Sequence, residues 1–305
     1  MLNGASAPFP FPIGAHMHWQ TTRFRIELAR PLVMGIVNVT PDSFSDGGAH
    51  ATASAALVHC ERLLEDGADI LDIGGESSRP GAQPVPVDEE LRRVMPVLEG
   101  AVRLGRPVSI DTTKPEVMRA ALDGGVDIVN DIGALRVPGA QSVVAGHPGC
   151  GVCLMHMQGE PGSMQTQPRY ADVVTEVGSF LAARAQVLVE CGVAMERIVI
   201  DPGIGFGKTP EQNFELLRRQ EELLRWGYPL LVGWSRKSSL GRLTGRPAGE
   251  RVAASVAAAL AAVERGARIV RVHDVAPTVD ALRVWGEAGL PRWSTIRPLS
   301  PPAPK

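Results

Sequence analysis

The sequence predicts one α/β domain folded as a (β/α)8 TIM barrel, with a small N-terminal extension. Eight short apolar, β-branched runs are spread along the chain, and helical patterns lie between most of them. Several runs, such as IVID and LLVGW, are apolar at consecutive positions, which is typical of parallel strands buried on both faces. Eight such units in roughly 260 residues fit a closed barrel, and an open doubly wound sheet is the alternative.

The predicted elements alternate in the order that a barrel requires. The predicted strands are Leu32–Val39, Asp69–Ile73, Pro107–Ile110, Val126–Val129, Gly151–Met155, Arg197–Ile200, Pro229–Val232 and Arg268–Val272. The predicted helices are Ala53–Glu65, Asp88–Val102, Pro115–Leu122, Ala171–Glu190, Gln212–Arg225, Gly249–Glu264 and Thr278–Glu287. Gly67, Gly125 and Gly266 are predicted to end helices immediately before strands. The alternating segment Thr22–Leu28 predicts a small hairpin that closes the bottom of the barrel.

Composition divides the chain and excludes several functions. Residues 1–21 are predicted to form a flexible extension, residues 22–291 the barrel domain, and residues 292–305 a flexible Pro-rich tail. A formal net charge of −2 argues against binding to nucleic acid or anionic lipid. No run of 18 apolar residues predicts a membrane span. The N-terminus lacks the pattern of a secretory signal and the four cysteines are too few for a disulfide scaffold, so we expect a cytoplasmic protein.

Polar or functional side chains lie at the carboxyl end of every predicted strand. They are Asn38, the segment GGESSRPGA, Asp111, Asn130 with Asp131, Met155 with His156, Asp201, Ser235 to Lys237, and Arg271 with His273. The carboxyl ends of barrel strands meet at one mouth, where the active sites of such barrels lie. Helix capping explains one or two strand-end Asp or Asn residues, but not eight polar strand ends. We therefore expect one site at the carboxyl end of the barrel.

Lysine is scarce in this chain, which makes each lysine informative. Only Lys114, Lys208, Lys237 and Lys305 are present among 31 basic residues. Arg and Lys are not interchangeable where a compact, titratable charge is needed. Lys237 follows a strand and is expected to face the mouth. Lys208 ends the segment DPGIGFGK, which lacks the spacing of a nucleotide-binding phosphate loop, and is expected to support that segment or a helix terminus.

A cluster of cysteine and histidine is a competing candidate. His147, Cys150, Cys153 and His156 are spaced three apart, so a zinc site or a redox pair is conceivable. His156 lies about 10 Å beyond Cys153 if the segment is extended, which argues against zinc. A redox CxxC opens a helix, whereas this one opens a strand, so both alternatives are disfavoured.

Eight motifs together resemble the dihydropteroate synthase family. They are MGIVNVTPDSFSDGG, DIGGESSRPGA, SIDTTKPEV, NDI, CLMHMQG, DPGIGFGKT, GWSRKS and RVHDV, and the resemblance runs from about Arg30 to Gly286. It implies condensation of 6-hydroxymethyl-7,8-dihydropterin diphosphate with 4-aminobenzoate, with release of diphosphate, dependence on Mg²⁺, a homodimer and sensitivity to sulfonamides.

The chemistry of this reaction matches the polar residues at the strand ends. The pyrimidine edge of a pterin presents N–H donors flanked by acceptors, which carboxylates and carboxamides complement. An ionised Asp beside the ring would stabilise a developing carbocation. Arg271 can bind diphosphate through two hydrogen bonds, and His273 lies two residues further on the same face of the strand.

The resemblance assigns each residue a role. It implies that Asp111, Lys237, Arg271 and His273 are catalytic, and that Asp111, Asn130, Met155, Asp201 and Lys237 bind the pterin. It implies that Asn38, Ser78, Arg79, Arg271 and His273 surround the diphosphate, with Asn38 on the Mg²⁺. It implies that Phe44, Ser78, Arg79, Pro80, Phe206, Lys237 and Ser238 line the aminobenzoate pocket. The usual family residue at Ser78 is Thr, so the hydroxyl is kept and a methyl group is lost.

Two other functions remain open at the level of sequence. A pterin-binding methyltransferase on a similar barrel would keep the Asp and Asn contacts but has no reason to keep the two long loops or the pair Arg271 and His273. A catalytically inactive pterin-binding relative should have lost one of the residues named above, and none of Asn38, Asp111, Asp201, Lys237 and Arg271 is missing.

Overall fold

The computed structural model of the chain describes residues 17–40, 48–77, 81–160 and 162–288. Eight parallel strands in these residues close into a barrel. They are numbered β3 to β10 along the chain, because a two-stranded hairpin, β1 and β2, precedes them, and their order around the barrel is β10-β3-β4-β5-β6-β7-β8-β9. They are β3 Leu32–Asn38, β4 Ile70–Gly74, β5 Val108–Asp111, β6 Ile128–Asp131, β7 Gly151–Met155, β8 Ile198–Asp201, β9 Leu230–Val232 and β10 Ala267–Val272. Each predicted strand agrees with an observed one to within two residues at either end, and the closed sheet rules out the open alternative.

Helices surround the barrel. They are α1 Gly48–Glu65, α2 Val87–Val102, α3 Pro115–Asp123, α4 Ala140–Gly146, α5 Val173–Glu190, α6 Pro210–Arg218, α7 Ser238–Thr244, α8 Val252–Glu264 and α9 Val275–Glu287. The sequence pattern missed α4 and α7, because seven residues are too few for a clear helical period. The predicted helix over 212–225 is wrong in one respect: α6 ends at Arg218, and a 3-10 helix over Gln220–Trp226 follows it.

The three glycines predicted to stop helices do so. Gly67, Gly125 and Gly266 have φ values of 100°, 89° and 92°, in the left-handed region that side chains other than glycine rarely adopt. At Gly266 an added Cβ would also lie 2.6 Å from Leu224 Cδ1, so this position needs glycine for space as well.

A hairpin closes the amino end of the barrel, as predicted, but it begins earlier in the chain. Its strands are β1 His18–Gln20 and β2 Arg25–Glu27, and Trp19 pairs with Ile26. Trp19 is fully buried, and its Nε1 donates to the Arg197 carbonyl oxygen at 2.9 Å. The predicted boundary of the flexible extension at residue 21 therefore lies too far along the chain, because the burial of Trp19 ties residues 18–21 to the barrel. Residues 1–16 and the Pro-rich tail lie outside the described residues.

Two apolar layers hold the fold together. The outer layer lies between the strands and the helices, and a second cluster fills the amino half of the barrel interior. The interior cluster is Trp19, Ile26, Leu28, Leu32, Met34, Ile70, Ile128, Cys153, Val199, Leu231 and Ile269. Among the described residues, no helix is long and apolar enough to cross a membrane.

Candidate active site

The pleat of the strands places the predicted site residues above the interior apolar cluster. Cys153, Val199 and Ile269 belong to that cluster, and side chains two residues apart on a strand share a face. Met155, Asp201 and Arg271 are the next inward positions toward the carboxyl end. The barrel interior thus changes from apolar to charged along the strands, and the charged end is the predicted mouth.

Arg271 is the centre of an ionic network in which Asp72 is buried and Arg271 and Asp111 are half-buried. Its Nε donates to Asp72 Oδ2 at 2.5 Å, and its Nη2 donates to Asp111 Oδ2 at 2.6 Å. Burial raises the pKa of Asp111 to about 7, although the Arg271 guanidinium opposes this shift. Asp111 therefore holds a proton more readily than an ordinary aspartate.

Asp72 is a member of this network that the sequence reading missed. It lies on β4 and is fully buried, and its Oδ2 also accepts from Asn130 Nδ2 at 3.1 Å. The signal available in the sequence was a single carboxylate inside the apolar run ILDIG, two residues after the inward-facing Ile70. A buried carboxylate at such a position needs a partner, and Arg271 provides it.

Asp201 and Lys237 lie at the ends of the neighbouring strands β8 and β9, and their charges interact. Burial raises the pKa of Asp201 to about 6, while its Oδ1 accepts from the Gly203 N–H at 2.7 Å. Burial lowers the pKa of Lys237 to about 8, and the charge of Asp201 opposes this shift. The Lys237 Nζ lies 4.1 Å from the centre of the Phe206 ring, and an added Cβ on Gly205 would approach Lys237 Cδ to 3.0 Å. The glycine loop therefore lets Lys237 lie directly against it.

Lys208 supports the same loop, one of the two roles predicted for it, and its side chain is buried. It is 2 % exposed, and its Nζ donates to the carbonyl oxygens of Gly203 and Phe206 at 2.9 Å each. His156 Nδ1 lies 3.0 Å from the same ammonium. Burial lowers the pKa of Lys208 to about 7. The Lys208 ammonium already donates to carbonyl oxygens of its own loop, so it is not available to bind a phosphate.

His273 is held by a serine that the sequence reading did not assign to the site. Its backbone N–H donates to Ser235 Oγ at 3.1 Å, and its Nδ1 lies 3.0 Å from the same oxygen. Burial and the neighbouring Arg271 lower the pKa of His273 to about 3, so the imidazole is neutral at pH 7. The Ser235 hydroxyl can donate to Nδ1, and in that tautomer the Nε2–H of His273 is a donor.

The turn before Lys237 adopts an unusual backbone conformation. Arg236 has a φ of 59°, which is uncommon for a residue with a side chain. Its guanidinium binds Asp274 at 3.0 and 2.6 Å, and its N–H donates to Ser255 Oγ at 2.9 Å. These contacts hold the turn in place and thereby fix the backbone of Lys237.

The other predicted site residues lie around this mouth or outside the described residues. Met155 forms an apolar cluster with Ile132, Met157 and Met164, and Phe206 packs against it. Asn38 ends β3 beside Gly74 and is partly exposed, and Ser238 is the exposed first residue of α7. Phe44, Ser78, Arg79 and Pro80 lie outside the described residues.

The cysteine and histidine cluster is not a site. Cys150 packs in the outer apolar layer and Cys153 in the interior cluster, so the two thiols do not share an environment. Within the described part of the chain, no group of three or more His, Cys, Asp and Glu side chains could hold a metal ion.

Comparison with known proteins gives a consistent result. Residues 34–273 match the model of the family described as "Pterin binding enzyme". The dihydropteroate synthase of Neisseria meningitidis serogroup B is 53% identical over 278 residues, which is 89% of this chain and 98% of that protein.

Two solved structures extend the match to three dimensions. Dihydropteroate synthase from Xanthomonas albilineans with 4-aminobenzoic acid is 53% identical, with a TM-score of 0.83 over 89% of this chain and 98% of that one. The enzyme from Burkholderia cenocepacia complexed with 7,8-dihydropteroate is also 53% identical, with a TM-score of 0.81 over 90% of this chain and 96% of that one. The chain therefore belongs to the dihydropteroate synthase family of pterin-binding enzymes, which are transferases of folate biosynthesis.

Proposed function

We propose that this chain condenses 6-hydroxymethyl-7,8-dihydropterin diphosphate with 4-aminobenzoate to give 7,8-dihydropteroate and diphosphate. The observation that carries this proposal is the mouth of the barrel, where two carboxylates of raised pKa, Asp111 and Asp201, lie with an amide, Asn130, beside Arg271 and Lys237. This set combines acceptors for a pterin edge with cations for an anionic leaving group.

Asp111, Asn130, Asp201 and Lys237 would hold the pterin ring, with Met155 packed against it. The carboxylates and the amide oxygen accept from ring N–H groups, and the Lys237 ammonium donates to ring acceptors. When the bond between the pterin methylene and the diphosphate oxygen breaks, the electron pair leaves with the diphosphate. Ionised Asp111, buried beside the ring, then stabilises the carbocation that the electron-rich dihydropterin delocalises.

Arg271 and His273 would receive the leaving diphosphate. The Arg271 Nη1 makes no hydrogen bond to another described residue, and neutral His273 retains its Nε2–H as a donor. The amine nitrogen of 4-aminobenzoate forms the new bond to the methylene and gives up one proton, which the released diphosphate can accept. Phe206, Lys237 and Ser238 would line its pocket, together with Phe44, Ser78, Arg79 and Pro80, to which the family resemblance assigns the same pocket.

Asn38 is the residue proposed to hold Mg²⁺. Its side chain makes no hydrogen bond to another described residue, and an amide oxygen suits an ion that keeps waters and substrate oxygens. One amide cannot bind the ion tightly, so diphosphate oxygens must supply most of the ligands. When bound, Mg²⁺ would neutralise charge that builds up on the leaving diphosphate.

A homodimer is proposed through the neighbouring helices α7, α8 and α9. Leu243 on α7 and Val284 on α9 are 70% and 71% exposed, and the small residues Ala253 and Ala257 are exposed on α8 between them. Exposed apolar side chains on adjacent helices indicate a contact surface. A Leu243→Asp variant should shift the protein to monomers in light scattering.

A cytoplasmic location is also proposed. All four cysteines are free thiols, as expected in a reducing compartment.

Release of diphosphate from the pterin substrate tests the function. Wild-type protein should release diphosphate with 4-aminobenzoate and Mg²⁺, and a sulfonamide should compete with the aminobenzoate. A methyltransferase would instead consume a methylated folate without releasing diphosphate, and an inactive pterin-binding protein would do neither. Absence of diphosphate release under these conditions would refute the proposal.

A further inference from the structure

Asp72 is a buried carboxylate to which the proposed reaction assigns no role. It is 0% exposed, and its Oδ1 makes no hydrogen bond to a described residue. Its Oδ2 accepts from Asn130 Nδ2 and Arg271 Nε. Burying a carboxylate that has one unpaired oxygen is unfavourable for folding. An apolar residue would therefore be more stable at position 72 if this side chain only filled space.

The contact with Asp72 determines which way the amide of Asn130 faces. A carboxylate oxygen only accepts hydrogen bonds, so the Asn130 atom 3.1 Å from Asp72 Oδ2 is the amide nitrogen. The Asn130 Oδ1 is thereby turned away from Asp72, and it accepts no hydrogen bond from another described residue. Asn130 retains 4% exposure beside Asp111, its register partner on β5. A ligand that meets Asn130 Oδ1 must therefore present a donor.

The same carboxylate fixes the guanidinium of Arg271. Asp72 engages Nε and Asp111 engages Nη2, so two carboxylates on neighbouring strands hold one edge of the guanidinium plane. The opposite edge, with Nη1, is left available for an anion. One buried oxygen of Asp72 thus orients two groups that the proposed reaction uses on opposite sides of the bond that breaks.

We propose that Asp72 is a positioning residue for this site, and that through Asn130 it selects pterins that present a donor, the 2-amino group. This inference rests on the proposed function. The neighbouring Ser109 provides a matched control, because it is the register partner of Asp72 on β5 and is also buried, but its hydroxyl makes no hydrogen bond to Asn130 or Arg271.

The test compares Asp72→Asn with Ser109→Ala. An amide at position 72 can present either its oxygen or its NH2 group to Asn130, so it no longer fixes which atom of Asn130 faces it. Without a charge, it also holds the Arg271 guanidinium more weakly. We expect Asp72→Asn to lower kcat/KM for the pterin diphosphate by about 30- to 100-fold, the scale for loss of a preorganised polar contact. The KM for 4-aminobenzoate should change less than about threefold, and Ser109→Ala should stay within about twofold of wild type in both constants.

Ligand discrimination is the readout that a merely structural role would not move. Calorimetry would compare 7,8-dihydropterin with an analogue that carries hydrogen in place of the 2-amino group. Wild type should bind the analogue at least about tenfold more weakly, because Asn130 Oδ1 is then left without a donor. In Asp72→Asn this ratio should fall below about threefold, because the Asn130 amide is free to rotate.

Either of two results overturns the proposal: unchanged discrimination in Asp72→Asn, or pterin kcat/KM within threefold of wild type. If Asp72→Asn does not fold, Asp72→Ser takes its place with the same expected results. Equal binding of the two pterins by wild type would also overturn the proposal, because it would show that Asn130 does not demand a donor. Failure of the proposed function is distinguishable, since wild-type protein would then release no diphosphate.

Discussion

Buried aspartate–arginine pairs occur at both ends of the barrel, and they differ in how fully they are satisfied. At the amino end, Asp127 accepts from the N–H, Nε and Nη2 of Arg23 and from the Val108 N–H. Asp69 accepts from Arg30 twice and from the Val33 N–H. At the mouth, Asp111 accepts only from Arg271 among the described residues, and Asp72 keeps one oxygen without a partner.

The difference separates structural charges from functional ones. Both oxygens of each amino-end carboxylate accept hydrogen bonds from an arginine or from backbone N–H groups. These carboxylates therefore link the hairpin and the strands to one another. The mouth carboxylates retain capacity, and burial raises the pKa values of Asp111 and Asp201 to about 7 and about 6. Groups that are under-satisfied and have shifted pKa values are those that a ligand can complete.

The largest effect should come from the mouth. We expect Lys237→Met to lower kcat/KM by at least about 100-fold, because it removes a preorganised cation beside Asp201 and Phe206. Steady-state kinetics would measure this after circular dichroism has shown that the variant is folded. Near-normal turnover would show that the site does not lie at the end of β9.

At the amino end, Asp127→Asn should act on stability alone. The amide nitrogen would face donors from Arg23 and Val108, so we expect a loss of about 2–3 kcal/mol in the free energy of unfolding. The kcat/KM of the folded variant should stay within about twofold of wild type. Urea unfolding and kinetics together check this, and a large kinetic defect would contradict the division between the two ends.

Lys208→Met provides an intermediate case and a matched partner for Lys237→Met. The substitution leaves buried carbonyl oxygens of the glycine loop without their donor, so we expect a loss of about 1–3 kcal/mol in stability. Its kcat/KM should fall less than about tenfold, because the lysine supports the loop without facing the mouth. If Lys208→Met is inactive while Lys237→Met is active, the assignment of the two lysines is reversed.

The smallest effect concerns pH. The pKa of Asp111 is about 7 in the folded protein against 3.8 for an ordinary aspartate, so the folded state binds more protons between these values. The contribution of Asp111 to stability is therefore present at low pH and is lost as pH rises toward 7. Urea unfolding at pH 5 and pH 8 should show a smaller fall for Asp111→Asn than for wild type. An identical fall in both proteins would mean that Asp111 does not titrate in this range.

Much of this molecule could be predicted from sequence, and particular residues show where prediction stopped. The eight strands were found because each is a continuous apolar run, and Asp201 and Arg271 were found because each lies near the carboxyl end of such a run. Asp72 was missed because it lies inside its run, where only the neighbouring strands show that Arg271 and Asn130 reach it. Ser235 was noted only as part of a strand end, and its contact with His273 spans two loops.

The sequence by itself determined the barrel, the end at which its polar residues collect, and the family, because periodicity and motifs are local properties of the chain. Only the tertiary structure decided which charges are satisfied, since hydrogen-bond partners such as Asp72 and Arg271 are 199 residues apart. It also decided which groups surround the two lysines: the carbonyl oxygens of Gly203 and Phe206 accept from Lys208, and the Phe206 ring lies against Lys237. Burial sets the pKa values of the mouth for the same reason: it is a property of the packed barrel and not of any segment.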